Sequence, residues 1–182
     1  ISLFGCRFFS KNHKNGDDIL EGSLSCHHCG TRYPIHEGTA TLLPSHQADM
    51  SQSSARYETQ PLVASYLWSH FGDLFGDQDS ASAYHEWEKQ VQGHSGISLD
   101  AGCAVGRFTF EMSRKSDFAI GIDMSHAFIH KARELMIQRE LSFQLPTEGL
   151  LWEERIIKLH ELWRSDKCDF IVADAQALPF PS

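Results

Sequence analysis

The sequence lacks long apolar runs and basic runs. No uninterrupted apolar stretch approaches the ~20 residues of a membrane-spanning helix, and the first residues show no basic segment ahead of an apolar core. We therefore expect neither a membrane span nor a signal peptide. Lys and Arg number 16 against 24 Asp and Glu, which gives a net charge of −8. Because tight sequence-independent binding of nucleic acid needs many cations against phosphates, this balance disfavours nucleic acid as a partner.

Cysteine is scarce, and its number is odd. The five cysteines are Cys6, Cys26, Cys29, Cys103 and Cys168. An odd number, with Cys26 and Cys29 spaced as Cys-x-x-Cys, favours reduced thiols or a bound metal over a disulfide framework. We therefore predict a cytoplasmic protein. Hydrophobic residues make up 41% and charged residues 22% of the chain, as is typical of globular proteins.

The composition changes along the chain and divides it into three parts. Residues 1–45 form a small cysteine-containing module, and residues 46–96 contain a polar linker followed by two predicted helices, over 61–76 and 82–92. Residues 97–182 alternate between strand and helix patterns. We predict strands at 97–100, 118–123 and 169–174, and helices at 107–115, 125–139 and 150–163. Such alternation indicates an α/β fold with a parallel sheet.

Each of the three predicted strands ends in an aspartate: Asp100, Asp123 and Asp174. Ligands of open parallel sheets bind beyond the carboxyl ends of the strands, so these side chains are expected to face one site. Gly102 and Gly106 follow the first strand and allow a tight turn with close approach of a ligand to the backbone. Asp123 lies 23 residues after Asp100. This is near the usual distance of ~20 residues from the first strand to an acid that binds ribose hydroxyls.

These motifs resemble those of class I S-adenosylmethionine (SAM)-dependent methyltransferases, and in particular of the methyltransferase type 11 family. Asp100-Ala-Gly-Cys-Ala-Val-Gly106 resembles the first motif of the family, Gly121-Ile-Asp-Met-Ser125 the second and Asp174-Ala-Gln-Ala-Leu-Pro-Phe180 the third. Ala104 stands where the family has its middle glycine, and we expect strain or a small shift there. The resemblance implies a Rossmann-like, three-layer α/β/α fold over residues 97–182, of which the C-terminal part is missing.

The resemblance also implies a function and a set of binding residues. It implies an enzyme that transfers a methyl group from SAM to an unidentified acceptor, for which the acidic charge favours a small molecule. Asp123 would hold the ribose hydroxyls, Asp174 would accept from the adenine amine, and Asp100 would orient the loop or the ligand's amino group. The implied cofactor-binding residues are Asp100, Gly102, Cys103, Ala104, Gly106, Asp123, Met124, Asp174 and Ala175. Because a sulfonium methyl is already activated, we assign no catalytic base.

The cysteine module resembles a zinc ribbon of the kind that precedes the SAM domain in some bacterial methyltransferases. Cys26-His-His-Cys29 followed by Gly30 and Tyr33-Pro-Ile35 resembles the second knuckle, and Cys6 would belong to the first. The implied metal ligands are Cys6, Cys26 and Cys29. Since Leu3 stands where the family has its first cysteine, zinc binding and a metal-free ribbon both remain open.

The end of the sequence and the segment before the third strand depart from the family. Residues 141–168 form an insertion with a predicted helix, and the chain stops just after the third motif. We expect the natural protein to be longer, or the exposed sheet to be covered by a further segment or by a second copy of the chain. Three alternative functions stay open: a non-catalytic SAM- or zinc-binding scaffold, an RNA base methyltransferase, and a nicotinamide dehydrogenase.

Overall fold

The structure is a computed structural model that describes residues 13–15, 18–26, 30–43, 55–77, 80, 83–92, 95–178 and 180. Within these ranges the strands are β1 (His13–Asn15), β2 (Asp18–Ser25), β3 (Arg32–His36), β4 (Thr39–Leu42), β5 (Ile97–Ala101), β6 (Phe118–Asp123), β7 (Glu140–Pro146), β8 (Trp152–Lys158) and β9 (Cys168–Ala173). The α-helices are α1 (Gln60–Phe71), α2 (Ala83–Gln90), α3 (Arg107–Met112) and α4 (His126–Gln138). Short 3₁₀ helices span Ala55–Glu58, Gly72–Phe75 and Ser165–Lys167. None of the helices in these ranges has both the length and the apolar character that crossing a membrane requires.

Seven strands form one sheet in the order β1-β2-β3-β4-β9-β6-β5. The first four strands are antiparallel neighbours, whereas β4, β9, β6 and β5 run parallel. The expected parallel arrangement of the three predicted strands is therefore confirmed. The architecture is a mixed α/β fold, to which the cysteine module contributes half of the sheet.

Strand β9 sits at the junction of the two halves and is buried on both faces. Its alternate residues Phe170 and Val172 pack in the larger hydrophobic cluster, together with residues of α1, α3 and α4. Ile171 and Ala173 point to the other face, where a smaller cluster includes Leu42. This two-sided burial explains the nearly continuous apolar run of β9, which is typical of strands inside parallel sheets.

Helix α4 leads from the end of β6 back across the sheet. The Ser125 hydroxyl accepts a hydrogen bond from the Phe128 N–H (3.1 Å) and caps the start of the helix, and Arg139 ends the helix at φ 59°. Helix α1 has Pro61 in its first turn and ends earlier than predicted, because the chain tightens to 3₁₀ geometry from Gly72 and then turns at Gly76 (φ 79°).

The predicted helix over 150–163 is wrong. The segment instead contains β8, which pairs antiparallel with β7 as a separate two-stranded sheet. Leu141 and Phe143 alternate with exposed residues along β7 and pack in the large cluster, which is the periodicity of a half-buried strand. Ile157 at the end of β8 is fully buried and completes this contact. Tertiary packing thus overrides the helical spacing of the apolar residues in this segment.

Candidate cofactor-binding site

A cleft of about 560 Å³ opens at the carboxyl ends of β6 and β9. Its lining residues are Tyr57, Tyr66, Gly102, Ala104, Ile122, Asp123, Met124, Ser125, Phe128, Ala173, Asp174, Ala175 and Gln176. The structure therefore brings together six of the nine cofactor-binding residues predicted from the sequence, which are Gly102, Ala104, Asp123, Met124, Asp174 and Ala175. The volume lies within the usual range of small-molecule sites.

Asp123 is held in place by backbone N–H groups from two loops. One carboxylate oxygen accepts from the Ala104 N–H (3.0 Å) and the other from the Ser125 N–H (2.9 Å). Each carboxylate oxygen can accept about two hydrogen bonds, so both have capacity left for ligand hydroxyls. The side chain thus ties the turn after β5 to the end of β6 and still offers acceptors to the cleft.

The turn after β5 is fixed by the end of β6. The N–H groups of Gly102 and Cys103 both donate to the Ile122 carbonyl at 2.9 Å. Gly102 lies at φ 84°, and a Cβ at this position would meet no atom within 4 Å, so the backbone is open there to a ligand. Gly106, at φ 86°, is different, because a Cβ there would lie 2.6 Å from the Phe170 ring. It serves the packing of α3 on β9 and does not line the cleft.

Ala104 lies at φ 47°, in the left-handed region that favours glycine. This is the position where the family motif has its middle glycine. The strain expected from the sequence is therefore present, and the Ala104 N–H still reaches Asp123. The methyl group alters the backbone energy without breaking the contact that closes the turn.

Asp100 and Cys103 lie beneath the turn and outside the cleft lining. The Thr109 hydroxyl donates to the Asp100 carboxylate at 2.8 Å, and burial raises the pKa of Asp100. Burial also raises the pKa of the Cys103 thiol well above its usual value, so the group stays protonated and is a poor nucleophile. Both residues support the loop from within.

Asp174 follows β9 and is almost fully buried, with 4% exposure. Its side chain accepts from the Gln176 N–H at 2.8 Å, and its carbonyl accepts from the Ala177 N–H at 3.0 Å. These bonds form a tight turn that places Ala175 and Gln176 in the lining of the cleft. Met124, which is 40% exposed, also lines the cleft and offers an apolar surface.

Three aromatic rings form one wall of the cleft, and sequence reasoning missed their role. The Tyr66 and Phe128 ring centroids lie 4.5 Å apart, and the Tyr57 ring meets both edge-on at 6.3 and 5.9 Å. Nothing in the sequence links the three residues. The neighbouring Glu58 carboxylate accepts from the N–H groups of His126 and Ala127, which fixes the 3₁₀ turn against the start of α4.

The predicted metal site lies mostly outside the described residues, since Cys6 and Cys29 do. At Cys26, the N–H donates to the Thr31 carbonyl and the carbonyl accepts from the Gly30 N–H, both at 2.8 Å, with Gly30 at φ 74°. In the part of the chain that the structure describes, no group of three His, Cys, Asp or Glu side chains could hold a metal ion.

The cysteine module is joined to the parallel part of the sheet by main-chain and side-chain contacts. In the β4–β9 ladder, Thr41 is opposite Val172 and Leu42 is opposite Ala173. The Arg133 guanidinium of α4 forms an ion pair with Asp169. The same guanidinium packs under the turn between β3 and β4, where it would lie 2.9 Å from a Cβ at position 38. The module is thus packed against the strand that carries Asp174.

Residues 12–38 match the family model of Trm112p-like proteins, whose members act as partners of methyltransferases. The prediction of a zinc-ribbon-like segment is confirmed at this level. The chain is also similar to the crystal structure of the YcgJ protein from Bacillus subtilis, with 17% identity and a TM-score of 0.38. That similarity covers 54% of this chain and 32% of the other, so the chain spans about a third of the length of YcgJ. No protein of curated function matches the sequence.

Proposed function

We propose that the chain is the SAM-binding part of a class I methyltransferase with a Rossmann-like fold. The observation that carries the proposal is the anchored carboxylate of Asp123 at the mouth of the cleft. Two backbone N–H groups hold it, and its remaining acceptor sites face a space lined by Met124, Asp174 and aromatic rings. A ribose with two neighbouring hydroxyls and a flat base matches this combination of acceptors and apolar surfaces.

The residues divide the cleft into regions for the parts of the ligand. Asp123 would accept from both ribose hydroxyls, and the open backbone at Gly102 would lie against the ribose and methionine portions. Asp174 would accept from the adenine amine, and the Ala175 N–H would donate to the ring. Met124 and the wall of Tyr57, Tyr66 and Phe128 would exclude water from the faces of the base. Each role uses a group that lines the cleft.

SAM supplies an activated sulfonium methyl when it is bound, so the protein contributes mainly alignment and exclusion of water. The two backbone hydrogen bonds to Asp123 preorganise its acceptors before the ligand arrives. No described residue of the cleft is placed as a base, and none is needed for an acceptor that is already nucleophilic. The acidic net charge of −8 favours a small molecule over nucleic acid as that acceptor.

The Trm112-like module would act as a methyltransferase partner within the same chain. Strand β4 covers the outer edge of β9, and Leu42 joins Ile122, Ile171 and Ala173 in the smaller hydrophobic cluster. The module thereby supports β6, which ends in Asp123, and β9, which is followed by Asp174. In this arrangement the partner is supplied in cis and cannot dissociate.

Binding selectivity tests the proposed function against the dehydrogenase alternative. Calorimetric titration of the full-length protein with S-adenosylhomocysteine should give a Kd in the micromolar range, on the order of −8 kcal/mol. NAD⁺, which needs room for a pyrophosphate, should bind at least ~100-fold more weakly, a difference of about 2.7 kcal/mol. NAD⁺ binding as tight as that of S-adenosylhomocysteine would contradict the proposal. Tight S-adenosylhomocysteine binding without methyl transfer to any acceptor would favour the scaffold alternative.

A further inference from the structure

The short turn that carries Tyr57 lies between the cleft and a second cavity. Tyr57 lines the cleft, whereas the next residue, Glu58, lines a cavity of about 580 Å³ on the other side. The start of α4 is divided in the same way, because Ser125 lines the cleft and Ala127 lines the second cavity. The turn Ala55–Glu58 and the first turn of α4 therefore form a wall between two open spaces.

This turn has little buried surface to hold it in place. Residues 56–60 are all exposed, and Tyr57 itself is 39% exposed. The hydrophobic effect scales with the apolar area removed from water, so it contributes little to the position of the turn. The Tyr57 ring meets the rings of Tyr66 and Phe128 edge-on, which adds only a small attraction. The position of the turn therefore depends mainly on its hydrogen bonds to α4.

Glu58 makes the strongest of these hydrogen bonds. One carboxylate oxygen accepts from the His126 N–H (3.1 Å) and the other from the Ala127 N–H (2.8 Å). The first N–H groups of a helix have no acceptor within the helix and carry partial positive charge, so a carboxylate suits them. The other bond is weaker, since the neutral Ser125 hydroxyl donates to the Tyr57 carbonyl at 3.4 Å. Glu58 is thus the main anchor of the turn.

The same backbone segment anchors Asp123, which binds the ribose in the proposed function. The Ser125 N–H donates to the Asp123 carboxylate, and the next two N–H groups along the chain donate to Glu58. Three consecutive backbone groups therefore bind two carboxylates that come from different parts of the chain. The position of Tyr57 relative to Asp123 is set through this segment for as long as Glu58 stays bound to it.

We propose that Glu58 is a positioning residue that holds Tyr57 over the nucleoside part of the bound cofactor and thereby slows its release. The Glu58 carboxylate acts through Tyr57 and does not touch the ligand, because it faces the second cavity. Without this anchor, the exposed turn spends part of its time away from the cleft, and the apparent affinity falls in proportion. The inference rests on the proposed function and assigns a role to a residue outside the three sequence motifs.

Affinity and release rate of two ligands provide the first test. In the full-length protein, Tyr57→Ala should weaken S-adenosylhomocysteine about tenfold through loss of the ring, and Glu58→Ala should weaken it about fivefold. Stopped-flow measurements should assign most of the loss in Glu58→Ala to faster dissociation. The effect on 5′-methylthioadenosine, which has the same nucleoside without the amino-acid portion, should be equal within about twofold. An unchanged dissociation rate in Glu58→Ala, or a loss confined to S-adenosylhomocysteine, would overturn the inference.

A double-mutant cycle separates positioning from a purely structural role at the start of α4. When Tyr57 is already replaced by alanine, there is no ring left to position, so adding Glu58→Ala should weaken S-adenosylhomocysteine by less than about twofold. If Glu58 served only to stabilise α4, its removal would weaken binding by the same factor with and without the Tyr57 ring. That additive result would overturn the inference.

Two further variants complete the set. Glu58→Gln keeps one acceptor oxygen and loses the charge, so its affinity and dissociation rate should lie between those of the wild type and Glu58→Ala; if Glu58→Ala does not fold, the cycle with Tyr57→Ala is run on Glu58→Gln. Glu86→Ala is the matched control, because Glu86 is exposed on α2 and lines neither cavity. It should change neither quantity. If the wild-type protein binds neither ligand, the proposed function fails and the inference with it, whereas binding with unchanged release in Glu58→Ala contradicts the inference alone.

Discussion

The two halves of the seven-stranded sheet differ in what their strand ends carry. In the parallel half, β5, β6 and β9 end at or next to aspartates, and glycines open the turn between them. In the antiparallel half, β1 to β4 turn back on one another and contribute no residue to the lining of the cleft. The halves nevertheless share one ladder, between β4 and β9.

Under the proposed function, this difference separates ligand binding from support. Parallel strands bring their carboxyl ends to one edge, where their polar side chains converge. A hairpin cannot do this, because alternate strand ends point in opposite directions. The antiparallel half instead covers an edge of β9 that would otherwise be unpaired and buries apolar side chains against it. Four predictions test this division, ordered by the size of the expected effect.

Gly106→Ala should be the most damaging of these changes. A Cβ there would lie 2.6 Å from the Phe170 ring at a φ of 86°, so overpacking adds to backbone strain, about 4 kcal/mol in total. Gly102→Ala is the matched control, because its φ is 84° and no atom lies within 4 Å of the added Cβ. It should cost only about 1 kcal/mol. Urea unfolding of both variants measures the difference, and equal losses would show that Phe170 yields without cost.

Leu42→Ala tests the junction between the halves. Leu42 is 6% exposed and packs with Ile122, Ile171 and Ala173, so its truncation should lower the free energy of unfolding by about 3 kcal/mol. Leu162→Ala, at a residue that is 55% exposed, should change it by less than about 0.5 kcal/mol. Leu42→Ala should also weaken the binding of S-adenosylhomocysteine, since Leu42 packs against β9 and Asp174 directly follows this strand. Unchanged affinity in a folded variant would mean that the module does not brace the site.

The stability of the protein should depend on pH through His70, on helix α1. Burial, aided by the charge of Arg107, lowers the pKa of His70 to about 4 in the folded protein, against about 6.5 in the unfolded chain. The contribution of this group to stability is therefore complete above pH 6.5 and is lost as the pH falls towards 4. Between pH 7.5 and 5 the loss should be about 2 kcal/mol. The charged and titratable groups that face the ring are Arg107, Tyr84 and Tyr66. His70→Phe should remove this part of the pH dependence in urea unfolding, and an identical pH profile in the variant would contradict the account.

Ala104→Gly should have the smallest effect, in the stabilising direction. Relief of the left-handed strain at φ 47° gains about 1 kcal/mol, and the greater freedom of glycine in the unfolded chain offsets about half of it. Thermal unfolding should therefore show a rise in Tm that corresponds to about 0.5 kcal/mol. A lower Tm would show that Ala104 is accommodated without strain.

Local sequence patterns predicted the parallel half well. Asp123 was placed at the end of a strand and Ser125 at the start of a helix by patterns that depend only on neighbouring residues, and the structure agrees. The hairpin of β7 and β8 was missed, although Leu141, Phe143 and Leu145 alternate in the manner of a strand. The helical spacing of apolar residues from Leu151 to Trp163 was given more weight. The segment instead forms strand β8, because Ile157 packs in the core.

Contacts between distant parts of the chain could not be predicted from local patterns. The pairing of Leu42 with Ala173 and the contact between the Tyr66 and Phe128 rings join segments with no shared motif. The same holds for the His70–Tyr84 pair, whose partners lie on separate helices. Such contacts depend on which side chains are buried together, and this is determined by the assembled fold.

The central claim is that Asp123 binds the ribose of SAM, and a pair of aspartate variants tests it most directly. Asp123 and Asp117 lie at opposite ends of β6, and each accepts a backbone N–H. Calorimetric titration of the full-length protein with S-adenosylhomocysteine should show at least ~tenfold weaker binding in Asp123→Ala, or about 1.4 kcal/mol, and no change in Asp117→Ala. Equal affinity in both variants, or no binding by the folded wild-type protein, would contradict the account.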